Sequence, residues 1–569
     1  MSAAEGNGWR KVTDDITHRV MSAMRGESID AAGLFPALAE ALRSSGVAAV
    51  GPLTRFATGM VAAAAGAGAT LLGAEDAGPV PVDRSDRRFG DPTWRRNPLF
   101  NLQLQAYLVG CRLLDDLVDA APVSEVVAAK ASIAADLLKA ATAPTNFLWG
   151  NPEALKRAFE TGGSSVLAGF TRFLEDARRN GGFPSQVEPG AFAVGTDLAA
   201  TPGKVVFRND LIELIQYQPQ TEQVHAIPLL CSPPWINKYY IMDLAPGRSL
   251  IEWAVRHGHT TFAISYRNPD SSMAEVSFED YLFEGLLAAM DVVEDITGQP
   301  KVNILALCLG GTLAAILMGY LAGGRKKRVN AVTLLNTLTD FDQAGILKAF
   351  TDETTLDRLE GQLTRAGTLE SASMRRTFDV LRPQDLIFNY IGPRWLMGDP
   401  PPSFDILTWN ADGTAMPAAM HVEYLRSCYV DNRLANGTME FGGRRVDLAR
   451  VAHDVFVVGA ENDHIAPWRA AYRVTQLMPK SKVRFLLSSA GHIAGVVNPP
   501  SPKARYRTND TNPPQPDDWL DGATRVDGSW WEAWAEWIGE RAGKTGTPPP
   551  MGSERFPAIA DAPGEYVLG

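Results

Sequence analysis

The sequence predicts an α/β protein: a mainly helical N-terminal domain, then a core built on a mostly parallel sheet, with a long insertion inside that core. Three observations carry this. Across residues 1–200 apolar residues recur at helical spacing, as in 102–118 and 133–141, and no good run of alternating β-branched residues appears. From about Val205 strand-like runs alternate with helices: a strand over 223–231, a helix over 248–256 ending at Gly258, a strand over 260–266, a helix over 278–296 stopped by Gly298, a strand over 302–307, a helix over 312–322 stopped by Gly323-Gly324, and a strand over 329–335. Such alternation implies parallel strands covered on both faces. It breaks over 338–447, a stretch rich in Asp, Arg, Trp and Pro, and resumes with strands over 453–459 and 483–488. A long non-alternating insertion in such a domain reads as a cap or lid. The expected domains are therefore 1–200, 201–337, 338–447 and 448–569, the last ending in a Pro-rich tail with a tryptophan-rich helix over 528–538.

Composition narrows the function. The formal net charge is -11 over 569 residues, with a pI near 5.4, which argues against a nucleic-acid partner because phosphate backbones need a basic footprint. With 45% hydrophobic and 21% charged residues the chain has an ordinary soluble composition. Cys111, Cys231, Cys308 and Cys428 are scattered, with no pairing suited to zinc or a disulfide framework. The N-terminus carries no apolar signal core, so a cytoplasmic location is expected. The most apolar stretch, 57–73, is mostly Ala and Gly between Arg55 and Glu75, and is expected to be a packed or surface helix with no transmembrane segment.

The densest chemical signal is Asn303-Ile304-Leu305-Ala306-Leu307-Cys308-Leu309-Gly310-Gly311-Thr312. An apolar strand runs into a cysteine and small residues, and a helix follows at once. That is the context of the nucleophile elbow of an α/β-hydrolase fold. The turn strains the nucleophile outward, and its neighbours must be small because strand and helix pack tightly there. The positive end of the following helix favours thiolate over thiol. Ala306 occupies the position where the elbow usually has its first glycine, which is expected to crowd the turn slightly.

Acid and base follow in the order this fold uses. The strand over 455–459 leads to Asp463, and the strand over 483–488 leads to His492 beside Gly491, which is expected to let the backbone bend toward the nucleophile. Glu461 is the competing acid and stays open; Asp454 stands at the start of its strand, the wrong end; His464 adjoins Asp463 and reads as a supporting residue. No Gly-x-Ser-x-Gly competes with Cys308. The oxyanion hole is expected from the N–H of Leu309 and one N–H of the loop Ser232-Pro233-Pro234-Trp235-Ile236, where Trp235 or Ile236 is the donor because the prolines have none.

Several longer runs resemble the polyhydroxyalkanoate synthase family, single-subunit type: Thr201-Pro202-Gly203-Lys204-Val205-Val206-Phe207-Arg208-Asn209, Pro233-Pro234-Trp235-Ile236-Asn237-Lys238-Tyr239-Tyr240-Ile241, Ser265-Tyr266-Arg267-Asn268-Pro269, the Cys308-x-Gly-Gly elbow, Trp409-Asn410-Ala411-Asp412, Gly491-His492-Ile493-Ala494-Gly495-Val496-Val497-Asn498-Pro499-Pro500 and Gly528-Ser529-Trp530-Trp531. The resemblance implies that Cys308 carries the acyl group, that His492 activates it and that Asp463 completes the set, either orienting His492 or helping to activate the incoming hydroxyl. It implies a 3-hydroxyacyl-coenzyme A substrate, coenzyme A as leaving group and no separate cofactor. It further implies a growing polyester chain, association with the granule surface and a homodimer. Arg382 is a candidate for a coenzyme A phosphate and Trp235 for a substrate contact. Two alternatives remain at this point: a thioesterase or hydrolase on the same scaffold, and a catalytically silent granule-associated protein.

Overall fold

A computed structural model of the chain describes residues 33–83, 86–324 and 327–569. The helical expectation for residues 1–32 lies outside the described residues. The chain divides into two compact units, one of residues up to Glu188 together with Arg375–Ser403, the other of Pro189–Met374 together with Phe404–Gly569.

The first unit is helical. Its longer helices are Leu34–Ser44, Val50–Leu71, Pro98–Asp119, Glu125–Ala141, Pro152–Glu160 and Ser164–Arg179. Two begin at Asn-Pro pairs: Asn97 accepts the N–H groups of Leu99 and Phe100, Asn151 accepts that of Ala154, and each following proline takes the first helical position, where no N–H is needed. One helical stretch among the described residues, Gly46–Leu71, is long and apolar enough to cross a membrane, with little of it buried. It also carries Arg55, paired with Asp116 at 3.0 Å, and packs Gly59 on Val109 of the helix Pro98–Asp119.

The expected insertion 338–447 is not one block. Residues 375–403 belong to the helical unit, where Arg394 donates to both oxygens of the buried Asp176 at 2.6 and 2.8 Å and the Trp395 indole donates to the same carboxylate at 2.7 Å. Gly169 approaches the Trp395 carbonyl so closely that a Cβ would stand 2.2 Å from it. These contacts span more than two hundred residues of sequence, beyond the reach of any local pattern.

The second unit is organised on one eleven-stranded sheet. Its strands are β1 (Gly203–Arg208), β2 (Ile212–Tyr217), β3 (Leu229–Ser232), β4 (Thr261–Tyr266), β5 (Val302–Leu307), β6 (Val329–Leu335), β7 (Asp454–Ala460), β8 (Lys482–Ser488), β9 (Arg505–Thr508), β10 (Thr524–Asp527) and β11 (Ala560–Asp561). They lie in the order β10-β9-β8-β7-β6-β5-β3-β4-β2-β1-β11. The run β8-β7-β6-β5-β3-β4 is parallel, and the strands at both edges pair antiparallel. Strands β2 to β5 are buried on both faces; the parallel β3, β4 and β5 read as largely apolar runs, whereas the antiparallel β2 also buries Glu213, paired with Arg208, and Gln216. The expected strand over 223–231 is broken at Pro228: Val224–His225 pairs separately with Thr545–Gly546, and only Leu229–Ser232 joins the main sheet. The tail expected to be Pro-rich and otherwise helical supplies β9, β10 and β11. The helix over 278–296 is helical throughout but passes through a wider π turn at Tyr281–Leu287.

Candidate active site

Strand β5 ends at Leu307, and the next residue, Cys308, takes φ 52 and ψ -115, a backbone conformation that costs a non-glycine residue about 1–3 kcal/mol. The surroundings hold it there. Its N–H donates to the Leu335 carbonyl at 2.8 Å, and its own carbonyl accepts from Gly311 and Thr312 at 2.9 and 3.0 Å, opening helix α1 (Leu309–Leu321). The glycines after the cysteine are steric requirements. A Cβ on Gly310 would stand 2.1 Å from the Ser232 carbonyl oxygen, and one on Gly311 would stand 1.9 Å from the Thr337 hydroxyl. Ala306 lies within β5 in strand conformation, registered between Ser232 and Leu334, and its φ is not positive, so nothing there calls for a glycine.

Asp463 follows β7 with its side chain fully buried. One carboxylate oxygen accepts the N–H groups of Ile465 and Ala466 at 2.9 and 2.8 Å; the other accepts from His492 Nδ1 at 2.6 Å. With Nδ1 committed to the carboxylate, Nε2 is the nitrogen left to serve the sulfur. Burial pushes the His492 imidazole down, but the Asp463 carboxylate and the Cys308 sulfur outweigh it and hold the ring well above the ordinary histidine range. Three loops that follow β5, β7 and β8 thus bring Cys308, Asp463 and His492 together at the carboxyl edge of the parallel strands. The competing acids are elsewhere: Glu461 is exposed, and Asp454 pairs with Arg541 at 2.9 Å at the opposite end of β7.

The base loop is fixed from outside the three residues. The indoles of Trp530 and Trp531, in the helix α2 (Trp530–Gly539), donate to the carbonyls of Gly495 and Val496 at 2.7 and 2.9 Å. The loop's indispensable glycine is Gly495, where a Cβ would stand 2.8 Å from the Gly491 carbonyl; Gly491, the expected bend, has ordinary space around it and no positive φ. The loop after β3 is held likewise: Trp409 donates to the Lys238 carbonyl at 2.8 Å and the Tyr240 hydroxyl to Asp412 at 2.8 Å.

A chain with this elbow, this acid–base pair and this strand order has the geometry for covalent acyl transfer, and its sequence relatives are specific. Residues 85–254 match the family described as the poly-beta-hydroxybutyrate polymerase N-terminus, and residues 228–499 match the alpha/beta hydrolase fold. The chain is 42% identical over 488 residues to the poly(3-hydroxyalkanoate) polymerase of Methylorubrum extorquens, covering 85% of this chain and 80% of that one. It is 41% identical to the poly(3-hydroxyalkanoate) polymerase subunit PhaC of Cupriavidus necator, covering 87% and 84%, and 41% identical to poly(3-hydroxyalkanoate) polymerase 1 of Ectopseudomonas oleovorans, covering 87% and 88%. The chain belongs to the poly(3-hydroxyalkanoate) polymerase family.

Seen as a polymerase of that family, the chain places its remaining candidates unevenly. Leu309 opens α1, so its N–H has no intrahelical acceptor. Ile236 lies in the loop after β3, its carbonyl accepting from Thr414 at 3.2 Å. Trp235 is buried in an aromatic cluster, its ring centroid 5.8, 5.4 and 5.8 Å from those of Phe278, Tyr281 and Tyr424, and so serves as core packing. Arg382 belongs to the helical unit and pairs with Asp385. Cys231 and Cys428 are fully buried, their thiols pushed up by burial, whereas Cys308 is half-buried. Sequence reasoning missed Tyr424 and Tyr429, both raised above the usual phenol range by burial first; Tyr429 and Cys308 push Tyr424 up further, whereas at Tyr429 the hydrogen bond with Tyr424 pulls down and Cys308 pushes up. They lie in consecutive helical turns, Ala418–Tyr424 and the wider Leu425–Val430, within the stretch that the sequence shows only as an insertion.

Proposed function

We propose that the chain polymerises (R)-3-hydroxyacyl-coenzyme A through a covalent thioester on Cys308. The observation that carries this reading is the 2.6 Å His492–Asp463 hydrogen bond beside a cysteine in strained elbow geometry. His492 takes the Cys308 proton, and the thiolate attacks the thioester carbonyl of the substrate. The bond from that carbonyl to the coenzyme A sulfur breaks, coenzyme A leaves with the proton from His492, and a new thioester joins the acyl group to Cys308. The exchange swaps one thioester for another and needs little driving force. In elongation His492 takes the proton of a 3-hydroxyl, the oxygen attacks the Cys308 thioester, and the thiolate is expelled as an ester bond forms. The N–H groups of Leu309 and Ile236 are the donors for the oxyanion in both steps.

The same reading makes coenzyme A part of the substrate, with no separate cofactor, and places the protein as a homodimer on the surface of cytoplasmic polyester granules. Exposed apolar side chains on the helical unit, Trp149 and Phe159 among them, support contact with an apolar surface. Incubating the purified chain with 3-hydroxybutyryl-coenzyme A tests the activity. Polymer accumulating with stoichiometric coenzyme A is the expected result, and coenzyme A release with free acid alone would make the chain a thioesterase.

A further inference from the structure

We propose that Asn336 is a positioning residue for this acyl transfer, holding the His492 loop in register with the Cys308 elbow; the proposal deepens the reading of that site and rests on it. Asn336 directly follows β6, is fully buried, and takes φ 43, the left-handed region. Its N–H donates to the Val458 carbonyl at 2.8 Å, in the strand that leads to Asp463, and its side-chain Nδ2 donates to the backbone carbonyl of His492. On one side of it the Leu335 carbonyl accepts the Cys308 N–H at 2.8 Å. On the other, Thr337 fills the space that a side chain on Gly311 would need, and the Leu338 carbonyl accepts the Thr312 hydroxyl at 2.8 Å. Four consecutive residues therefore bind the elbow, the acid's strand and the base's loop.

The residue type points to the base rather than to the turn. A left-handed backbone is open to glycine, asparagine and aspartate at least strain. Glycine would satisfy the turn alone, and at no cost in buried polar atoms. Asparagine brings a donor to the His492 carbonyl, and in doing so buries an Oδ1 that has no hydrogen-bond partner. The amide orientation is set by that carbonyl, since the reverse would put two oxygens face to face. Aspartate keeps the shape and the backbone but offers only acceptors where a donor is required.

Asn336→Gly and Asn336→Asp separate the two roles. In both, kcat for coenzyme A release from 3-hydroxybutyryl-coenzyme A is expected to fall by about tenfold to a hundredfold with KM within about twofold, as a small misplacement of a reacting group does. Iodoacetamide labelling of Cys308 at pH 7 should slow by a comparable factor, while the urea midpoint of Asn336→Gly stays at the wild-type value. Wild-type kcat and labelling in a folded Asn336→Gly would overturn the proposal. So would unfolding of both variants, because Asn336 would then be holding the fold and not the base. The labelling needs no substrate, so it reads the Cys308–His492 pair even if the wild type releases no coenzyme A and the polymerase reading fails.

Discussion

The two units of this chain solve the problem of apolar side chains in opposite ways. In the sheet unit the large apolar residues go inside: β2 to β5 are buried on both faces, and the tryptophans of α2 are buried, with the indoles of Trp530, Trp531 and Trp534 hydrogen-bonded. In the helical unit alanines fill much of the interior, Ala131, Ala134 and Ala135 among them, while Leu99, Trp149, Phe159 and Leu167 face outward. The difference teaches where chemistry can be placed. A strained cysteine persists only where every neighbour is fixed, and Cys308 has the Leu335 carbonyl, Ser232 and Thr337 closing on its turn from three sides. The helical unit offers surface instead of a cage.

The largest expected effect breaks the comparison at its centre. Cys308→Ala should abolish acyl labelling and polymer together, because no other side chain at the elbow forms the covalent intermediate, whereas Cys111→Ala in the helical unit should leave turnover near wild type. Mass spectrometry of the protein after substrate addition reads the first, and coenzyme A release reads both. An acyl adduct on Cys308→Ala would move the nucleophile elsewhere.

Asp463→Asn comes next. General-base assistance is worth about 10²–10⁴ in rate, and the substitution leaves His492 Nδ1 facing an amide in place of a carboxylate. If Asp463 serves hydroxyl activation more than thiolate formation, single-turnover loading survives while elongation falls by that factor. If it only orients His492, both fall together. Elongation at the wild-type rate would remove Asp463 from the site and turn attention to Glu461.

How much of this was legible in the sequence follows the range of the interactions. The strand–elbow–helix of 302–321 is local, written in a largely apolar hexamer, a cysteine and two glycines; the strand has the bounds expected, while the helix begins at Leu309, three residues before the expected 312, because it opens directly at the elbow. Asp463 and His492 were legible because each directly follows a strand whose apolar run is equally local. The bond between Trp530 and the Gly495 carbonyl was not: the sequence shows a tryptophan-rich helix over 528–538, and nothing local tells that its N–H groups hold the base loop from 35 residues away. Nor was the assignment of 375–403 to the helical unit, which depends on Arg394 finding Asp176 across 218 residues. Asn336 carries no signature at all, since a single asparagine after a strand reads as a turn.

The buried Asp176–Arg394 pair is the helical unit's counterpart to the fixed elbow, and Arg394→Ala tests how much that unit depends on it. Removing one partner of a buried pair strands the other charge and costs about 3–5 kcal/mol, which a urea titration would read as a lowered midpoint. Acid should act in the same direction. Burial pushes the Asp176 carboxyl up, but hydrogen bonds from Arg394, Ser185 and Trp395 outweigh it and hold it below the usual carboxylate range. Its unfolded value is about 3.9, so the stabilisation is complete above that pH and is lost as the pH falls below about 4 through the folded value. Asp176→Asn should therefore flatten the loss of stability between about pH 4 and the folded value, and an unchanged acid limb would show that other carboxylates carry it.

The smallest expected effect is also the one that separates the two surfaces. Trp149 and Phe159 are 81% and 86% exposed, so replacing both with serine removes little packing and should change stability by no more than about 0.5 kcal/mol. Turnover of soluble 3-hydroxybutyryl-coenzyme A should stay within about twofold, since neither residue is in the sheet unit that holds Cys308, Asp463 and His492. What should change is partition onto preformed polyester particles, because burying apolar area from water is worth about 25 cal/mol per Å² and two large aromatic side chains supply a sizeable share of any contact patch they belong to. Sedimentation of the variant with particles, against the wild type at matched concentration, measures that directly. Retained turnover with reduced sedimentation assigns surface contact to the helical unit and chemistry to the sheet unit; equal sedimentation would mean that these aromatics are exposed for some other partner.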